Sequence, residues 1–599
     1  MNTPTLPNDD TLPNDWRLGE RPYTGPATGD QLSALEVLAE TAARQSMART
    51  ATLPAYTGPM TGDQLAELGT VERAALGRAE GAIGVLPGPR IAARRARRRR
   101  FRPALPSGWP LAAILLLQAV LSLRLVWSNT AFPDEALYLW AGHVEWSHWL
   151  HGTPLPAFQT YFSGSPVVYP PVGAVADMLG GLAGARLLSL GFMLVATCAL
   201  HGVTRRLFDA RAALYAAGLF GALAATQYLG AFATYDAMAL MLLSVAAWLG
   251  VRAASASPRA GAALLAAASA ALALAVAAKY AAALFAPAVI AVVILAAAWR
   301  GGRQAGTRAA AIMVPSVCAL LSAAIAAGGR SYWQGVTVTT LERATGTSSP
   351  KFLLFVSLKW EGAVTGLAVF GAIALIASAR RNRAATALAV LLAAVPFLVP
   401  LEQARIDTYT SLFKHIGYGA WFGAILAGYC LAAFPRAVAR GKAVKALRIS
   451  VLIAALACVP EIPWAASHYG WPDTTAVMPV VQRALDGTAG PVLADDRGNV
   501  VDYYLPAAGG RVIDGTFFFA YNDPATGRHV TMAPAFAAAV RDRYFGVIFL
   551  EFWDSAPQDA AIKADIGRYG GYRLLATVPY AATGPHGAAM IWVREGASK

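Results

Sequence analysis

Apolar stretches close to the ~20 residues that a helix needs to cross a bilayer recur all the way from Trp109 to Ala466, and they leave the chain few folds to choose from. They fall at 109–128, 172–203, 212–228, 231–251, 260–278, 281–298, 309–327, 360–378, 384–400, 416–434 and 447–466. Arginine-rich or polar punctuation separates most of them, and several are rich in alanine, which suits close helix packing in lipid. With 56% hydrophobic and only 14% charged residues among 599, the composition excludes an ordinary soluble enzyme. The fold class expected is mainly α, a polytopic bundle of about 11 spans over residues 104–466.

The formal net charge of +15 raises the question of nucleic acid, but the distribution of charge points to lipid. Arg94, Arg95, Arg97 to Arg100 and Arg102 stand immediately before the first span, where a basic block anchors a chain against anionic lipid. With the amino terminus in the cytoplasm, the arginine clusters at 205–211, 252–259, 300–308, 380–383 and 436–448 all fall on the same inner side. The outer side then receives the 129–171 loop, which contains no Lys or Arg, the loops near 329–359 and 401–415, and everything after 466. A multi-pass protein of the plasma membrane is expected, with no nucleic-acid partner. Cys198, Cys318, Cys430 and Cys458 lie in apolar segments without metal-ligand spacing and read as packing residues.

Residues 1–103 read as a disordered cytoplasmic tail with an internal repeat. Tyr23 to Leu32 returns as Tyr56 to Leu65, each copy followed by an Ala/Glu/Leu-rich stretch suited to a short docking helix for a cytoplasmic partner. No cleavable signal peptide is visible, because the first apolar run begins too late. Residues 467–599 have ordinary soluble composition and read as a small extracytoplasmic α/β domain. Its expected strands are 491–494, 512–513, 545–550, 572–575 and 588–593, and its expected helices 531–543 and 557–567.

Chemistry is expected just past the first span, where Asp134 and Glu135 stand side by side. Carboxylates so close to a bilayer are costly unless a partner, a cavity or a catalytic task retains them. Pro133 suits the first turn of a surface helix, whose amino terminus favours ionised acids. Tyr138 follows one turn after Asp134. Trp140, His143, Trp146, His148, Trp149 and His151 form an aromatic and histidine belt that reads as interfacial anchoring or as the lining of a sugar groove. Glu145 and His148, at helical spacing, and Glu135 are the candidate ligands should a divalent metal ion be used. Further on, Asp236 stands at the outer end of one span and Lys279, followed by Tyr280, between two others. By this topology they share a membrane face with the acidic pair, either as one polar site or as an ion pair that stabilises the bundle.

Asp134-Glu135 after the first span, Tyr169-Pro170-Pro171, Ala185-Arg186-Leu187-Leu188-Ser189, Arg205-Arg206-Leu207-Phe208-Asp209, Thr234-Tyr235-Asp236 and Ala278-Lys279-Tyr280 occur in series. The series resembles the C-type multi-spanning glycosyltransferases, most nearly their protein mannosyltransferase and aminoarabinose transferase group. The resemblance is good over 109–300, loose to 466 and absent from the amino-terminal tail. It implies a helical bundle with surface helices in the first outer loop, a polyprenyl-phosphate-linked sugar as donor, and a cell-envelope acceptor (glycan, lipid or protein) with a free hydroxyl or amine. The family's first-loop acid falls on Asp134, with Glu135 beside it as the second catalytic candidate.

Relatives often carry a base before the Pro-Pro pair, where this chain has Tyr169, so the charge that meets the donor phosphate has to come from elsewhere. Lys414 and His415, at headgroup level before the tenth span, are favoured. Arg405 is next, and Arg343 and Lys351 read as loop charges beside the Thr/Ser/Gly-rich stretch 337–350, a candidate lid. Tyr138, Tyr169, Asp236, Lys279 and Tyr280 complete the expected substrate-binding set. The mechanism expected is single displacement with inversion, Asp134 acting as base. The alternative is a polyprenyl-lipid flippase or transporter, since membrane-embedded acids and bases also mark ion paths, although no repeat or pair of broken spans of the transporter kind is visible.

Overall fold

The computed structural model describes residues 108–596 apart from 343–344, 380–381, 410, 438–442, 495–497, 509–510, 515–518, 554 and 581–586. The amino-terminal repeats, the basic block before the first span and Arg343 lie outside the described residues.

The described chain forms two compact units, one of helices through Thr475 and one beginning at Ala476. In the first unit ten helices are long and apolar enough to cross a membrane, and the protein is a multi-pass membrane protein. Its elements begin with α1 (Trp109–Val126), α2 (Pro133–His151), α3 (Tyr169–Leu207), α4 (Ala210–Ala222), α5 (Ala224–Leu229), α6 (Tyr235–Ala253), α7 (Pro258–Ala278) and α8 (Ala286–Gly301). They continue with α9 (Arg303–Val336), α10 (Pro350–Ser378), α11 (Arg383–Ala394), α12 (Leu398–Arg405), α13 (Leu412–Ala437), α14 (Ala443–Cys458) and α15 (Glu461–Ser467).

Two departures from the hydropathy pattern shape this unit. The apolar run at 212–228 is not one helix, because Leu223 adopts an extended conformation (φ −58°, ψ 142°) between α4 and α5. The break leaves new amide donors at the start of α5, and the Glu461 carboxylate accepts one of them, Ala224 N, at 2.7 Å. In α3, Gly180 and Gly181 leave helical geometry, and Gly181 takes φ 61°, a value that favours glycine. The segment from Tyr169 to Leu179 is thereby a separate helix from the apolar stretch that follows. It is tied to α2 by His143 Nε2 to Asp177 Oδ2 at 2.6 Å and by Trp146 Nε1 donating to Pro171 O at 2.9 Å.

Gly142 of α2 packs directly against the start of α3. A Cβ there would lie 2.0 Å from Pro170 O, against backbone that cannot yield. Gly142→Val is therefore expected to prevent assembly of this pair, and detergent-purified material should elute as aggregate instead of a monodisperse peak. A monodisperse variant would show that the approach is not required.

Hydropathy ends the membrane domain at 466, but the residues that follow, through Thr475, pack with the helices. Asn129 Nδ2 donates to Tyr469 O and Trp471 O at 3.1 and 2.6 Å, Trp471 Nε1 donates to Thr130 O at 3.0 Å, and Phe132 meets the Trp471 ring edge-on at 5.1 Å. The stretch 337–350 begins as a π-helical turn, Thr337–Leu341. Its later part pairs with the segment after α12, with Gly346 N on Ile406 O at 2.8 Å and Ser348 N on Asp407 O at 2.9 Å.

The second unit is a small α/β fold whose five-stranded sheet has the order β2-β1-β5-β7-β6. The strands are β1 (Val492–Ala494), β2 (Val512–Asp514), β5 (Val547–Leu550), β6 (Tyr572–Tyr580) and β7 (Gly587–Arg594), while β3 (Ala520–Asp523) and β4 (Arg528–Thr531) form a separate hairpin. β1 runs parallel to β2 and β5, and β7 is antiparallel to β5. Helices α18 (Met532–Arg541) and α19 (Ala556–Tyr569) pack around a core of Phe536, Ile548, Leu550, Ile562 and Trp592, while α16 (Met478–Gly487) and α17 (Gly498–Tyr504) precede them in the chain.

Candidate active site

Three helix starts and one helix end of the helical unit meet at a buried polar cluster. Asp134 lies in the first turn of α2, Asp236 in the first turn of α6, Lys414 and His415 in the first turn of α13, and Lys279 at the carboxyl end of α7. The acids thus sit where amide dipoles favour anions, and Lys279 sits where they favour a cation. All five side chains are buried.

Lys414 Nζ donates to Asp134 Oδ2 at 2.5 Å. The other oxygen of that carboxylate, Oδ1, is buried with no hydrogen-bond partner among the described residues. On the far side of the cluster, the Thr234 hydroxyl accepts from Asp236 N at 3.2 Å and donates to Asp236 Oδ2 at 2.8 Å. Asp236 Oδ1 lies 3.9 Å from Lys279 Nζ and 3.5 Å from His415 Nε2. Lys279 also donates to Ser163 Oγ at 2.9 Å and to Tyr235 OH at 3.0 Å. Two carboxylates therefore face two ammonium groups and one imidazole. Such a set is neutral when the imidazole is neutral.

His415, Tyr280, Tyr418 and Ser163 are among the residues lining a cavity of about 350 Å³. Thr339, Thr340, Glu402, Gln403 and Arg405 lie around the rest of it, among apolar side chains. This volume is at the lower end of small-molecule sites and suits a headgroup. Arg405 is exposed at its rim and grips Glu402 through two hydrogen bonds of 2.6 and 2.9 Å. Neither Asp134 nor Lys414 lines the cavity, but Lys414, which holds Asp134, is the chain neighbour of the lining residue His415.

Glu135, expected as a second catalytic acid, has another task. Both of its oxygens are committed, to Arg186 Nε at 2.8 Å, Arg186 Nη2 at 2.6 Å, Ala233 N at 2.8 Å and Phe132 N at 3.1 Å. Arg186 in turn donates to the carbonyls of Val126, Asn129 and Thr130 at 2.7, 2.8 and 3.1 Å. One buried ion pair thereby fixes the α1–α2 connection, the start of α2 and the residues before α6, and so sets the position of Asp134. The sequence contained Arg186 in a motif, but nothing in its spacing named its partner.

Tyr138 and Tyr169, expected to meet substrate, lie in a buried aromatic cluster behind the site. Tyr138 is 4.4 Å from the Tyr235 ring and 6.2 Å from that of Tyr169, and neither lines the cavity. The metal candidates do not converge either. Glu135 and His148 are more than three turns apart on α2, and His148 Nδ1 is engaged with Thr153 O at 2.7 Å. Glu145 is buried, and burial pushes its carboxyl above the usual range against the opposing pull of His148. No group of three or more His, Cys, Asp or Glu side chains suited to a metal ion occurs among the described residues.

Residues 178–327, which carry Arg186, Asp236 and Lys279, match the family described as dolichyl-phosphate-mannose-protein mannosyltransferase. No curated protein matches the chain. Among solved structures, ArnT from Cupriavidus metallidurans is similar in the apo state with a TM-score of 0.53 at 16% identity, over 81% of this chain and 98% of that one. Its structure bound to undecaprenyl phosphate matches equally, with the same score, identity and shares. The oligosaccharyltransferase of Archaeoglobus fulgidus, tethered with an acceptor peptide, has a TM-score of 0.48 at 13% identity over 80% of this chain and 74% of that one. The family match over residues 178–327, the ArnT-like fold and the ordered motifs all agree with a likeness to the C-type multi-spanning glycosyltransferases, and within them to the protein mannosyltransferase and aminoarabinose transferase group.

Proposed function

We propose that this glycosyltransferase moves a sugar from a polyprenyl-phosphate donor to a hydroxyl or amine of a cell-envelope acceptor, on the outer side of the plasma membrane and with inversion. The observation that carries the proposal is the buried set of two carboxylates, two ammonium groups and a histidine beside a headgroup-sized cavity. The match to a family named for a lipid-phosphate-linked sugar and the likeness in fold to a protein crystallised with undecaprenyl phosphate support the choice of donor. The arginine-rich loops, assigned to the cytoplasm, put the cluster at the outer face.

In this mechanism the donor phosphate takes the place of Asp134 beside Lys414. The freed carboxylate accepts the proton of the acceptor group as its oxygen or nitrogen attacks the anomeric carbon. The bond from that carbon to the phosphate oxygen breaks, and its electron pair leaves on the phosphate. Phosphate is a competent leaving group, so no general acid is needed. Lys414, Lys279 and His415 supply the electrostatic stabilisation of the departing anion, and Asp236 orients the last two. Glu135 and Arg186 hold the first turn of α2 in place.

The proposal is tested with purified protein in proteoliposomes that contain a labelled polyprenyl-phosphate sugar. Label should leave the lipid only when an acceptor fraction is added. Movement of intact labelled lipid between leaflets without acceptor would identify a flippase instead. Lys414→Met, which removes one charge-assisted hydrogen bond to phosphate, is expected to weaken binding of bare undecaprenyl phosphate by about 10- to 100-fold, measured by titration in nanodiscs. Unchanged binding would remove Lys414 from the phosphate site.

A further inference from the structure

Gln403 lines the cavity from the end of α12 and is only 3% exposed. Its amide oxygen accepts no hydrogen bond among the described residues, although a buried amide without a partner is costly. The backbone holds it there, with Thr408 N donating to Gln403 O at 3.1 Å. The charged side chains around the same cavity are already committed. Glu402 is gripped by Arg405, and His415 faces Asp236 at 3.5 Å. Leu284, Phe285, Val399 and Ile406 supply apolar surface between them.

This arrangement discriminates between classes of ligand. A side-chain amide offers both a donor and an acceptor, which complements a pair of neighbouring hydroxyl groups. An ammonium or carboxylate on the ligand would have to displace Arg405 from Glu402 or Asp236 from His415, a cost that an uncharged hydroxylated ligand does not incur. A polyprenyl tail would leave the amide oxygen without a partner.

We propose that Gln403 is the specificity-determining contact to the sugar of the donor, and that this sugar is uncharged and hydroxylated, without amino or carboxyl substituents. The inference rests on the donor reading above: with phosphate held at the Lys414, Lys279 and His415 cluster, the sugar extends into the cavity toward Gln403. Apolar wall on either side gives the ring carbons a surface to pack on.

The experiment uses the full-length protein in nanodiscs and compares four probes: undecaprenyl phosphate, its mannosyl ester, its glucosaminyl ester and free methyl mannoside. Wild-type protein should bind the mannosyl lipid about tenfold more tightly than the glucosaminyl lipid, the ratio set by one well-satisfied polar contact. Gln403→Leu should bring the mannosyl lipid down to the affinity of the bare phosphate lipid, whose own binding stays within about twofold. Gln403→Glu keeps the shape and adds a charge, so it should reverse the preference in favour of the glucosaminyl lipid, and it carries the test if the leucine variant does not fold. Equal affinity of the mannosyl lipid in wild type and both variants, or a wild-type preference for the amino sugar, overturns the assignment. A Gln403 dependence seen only with free methyl mannoside would assign the cavity to the acceptor and overturn the donor-sugar proposal. If wild-type protein fails to bind even bare undecaprenyl phosphate, the donor reading itself falls and takes this inference with it.

Discussion

Replacing Asp134 by Asn is expected to lower sugar transfer by ~10²- to 10⁴-fold, the range that one positioned general base supplies, while retention of the donor lipid stays the same or rises. The second half of that expectation comes from charge. Asp134 is the carboxylate that holds Lys414 at 2.5 Å, and in the proposed mechanism it competes with the donor phosphate for the same ammonium group. An amide in its place keeps the shape and withdraws the competing anion. The variant should therefore co-purify with at least as much polyprenyl phosphate as wild type, measured by mass spectrometry of extracted lipid, while single-turnover transfer is nearly lost. Full transfer activity would remove Asp134 from the base role. Loss of both transfer and donor binding would mean that the carboxylate organises the pocket without accepting the proton.

The second large effect concerns stability. Glu135 and Arg186 are both fully buried and hydrogen-bonded to one another and to surrounding backbone. Removing one partner leaves the other as an uncompensated buried charge, at a cost of about 3–5 kcal/mol. Glu135→Leu and Arg186→Leu should each lower the thermal unfolding midpoint sharply and reduce the yield of monodisperse protein. The double variant, which buries no charge, should be more stable than either single one, because an apolar pair of similar volume avoids the desolvation of both ions. Single variants that unfold like wild type would show that this pair does not hold the α1–α2 connection. If the double variant lost as much as the two singles combined, the pair would act through the carbonyls of Val126, Asn129 and Thr130 more than through its own charges.

The membrane architecture was legible in the sequence because it depends on length and composition. Ten of the eleven apolar runs correspond to helical segments long and apolar enough to cross a membrane among the described residues. What hydropathy could not convey is direction. The run read as 172–203 contains the corner at Gly180 and Gly181, and the Gly-Gly pair was the available signal. The break at Leu223 had no comparable signal, since the nearby Gly221 stays inside α4. It is set by a carboxylate 237 residues away, at Glu461. In the second unit, the core strands β1, β5 and β7 appear as apolar runs, whereas the hairpin β3–β4, built of Ala520-Tyr521-Asn522-Asp523 and Arg528-His529-Val530-Thr531, alternates too weakly to be read.

The site shows the same division. Asp134, Glu135, Asp236 and Lys279 could be read as sharing one membrane face because a charge near a bilayer calls for a reason wherever it occurs, whereas Lys414 and His415 were read separately, as a site for phosphate. Their pairing was not legible, because Lys414 and Asp134 are 280 residues apart and only the bundle brings them together. Glu135, the second catalytic candidate beside Asp134, instead holds Arg186 through both of its oxygens. Tyr138 and Tyr169 show the limit of residue type as a guide, since an aromatic hydroxyl suits a sugar site and a buried aromatic cluster equally well. Gln403, in the unremarkable run Glu402-Gln403-Ala404-Arg405, acquires meaning only from the cavity it faces.

The most direct measurement is a structure of the full-length protein in nanodiscs with a bound undecaprenyl-phosphate sugar. The donor phosphate should lie within about 3.2 Å of Lys414 Nζ, with Lys279 and His415 close by, the Asp134 carboxylate released toward the anomeric carbon, and the sugar in the cavity beside Gln403. A phosphate bound elsewhere while the Lys414–Asp134 pair stays closed would contradict the account.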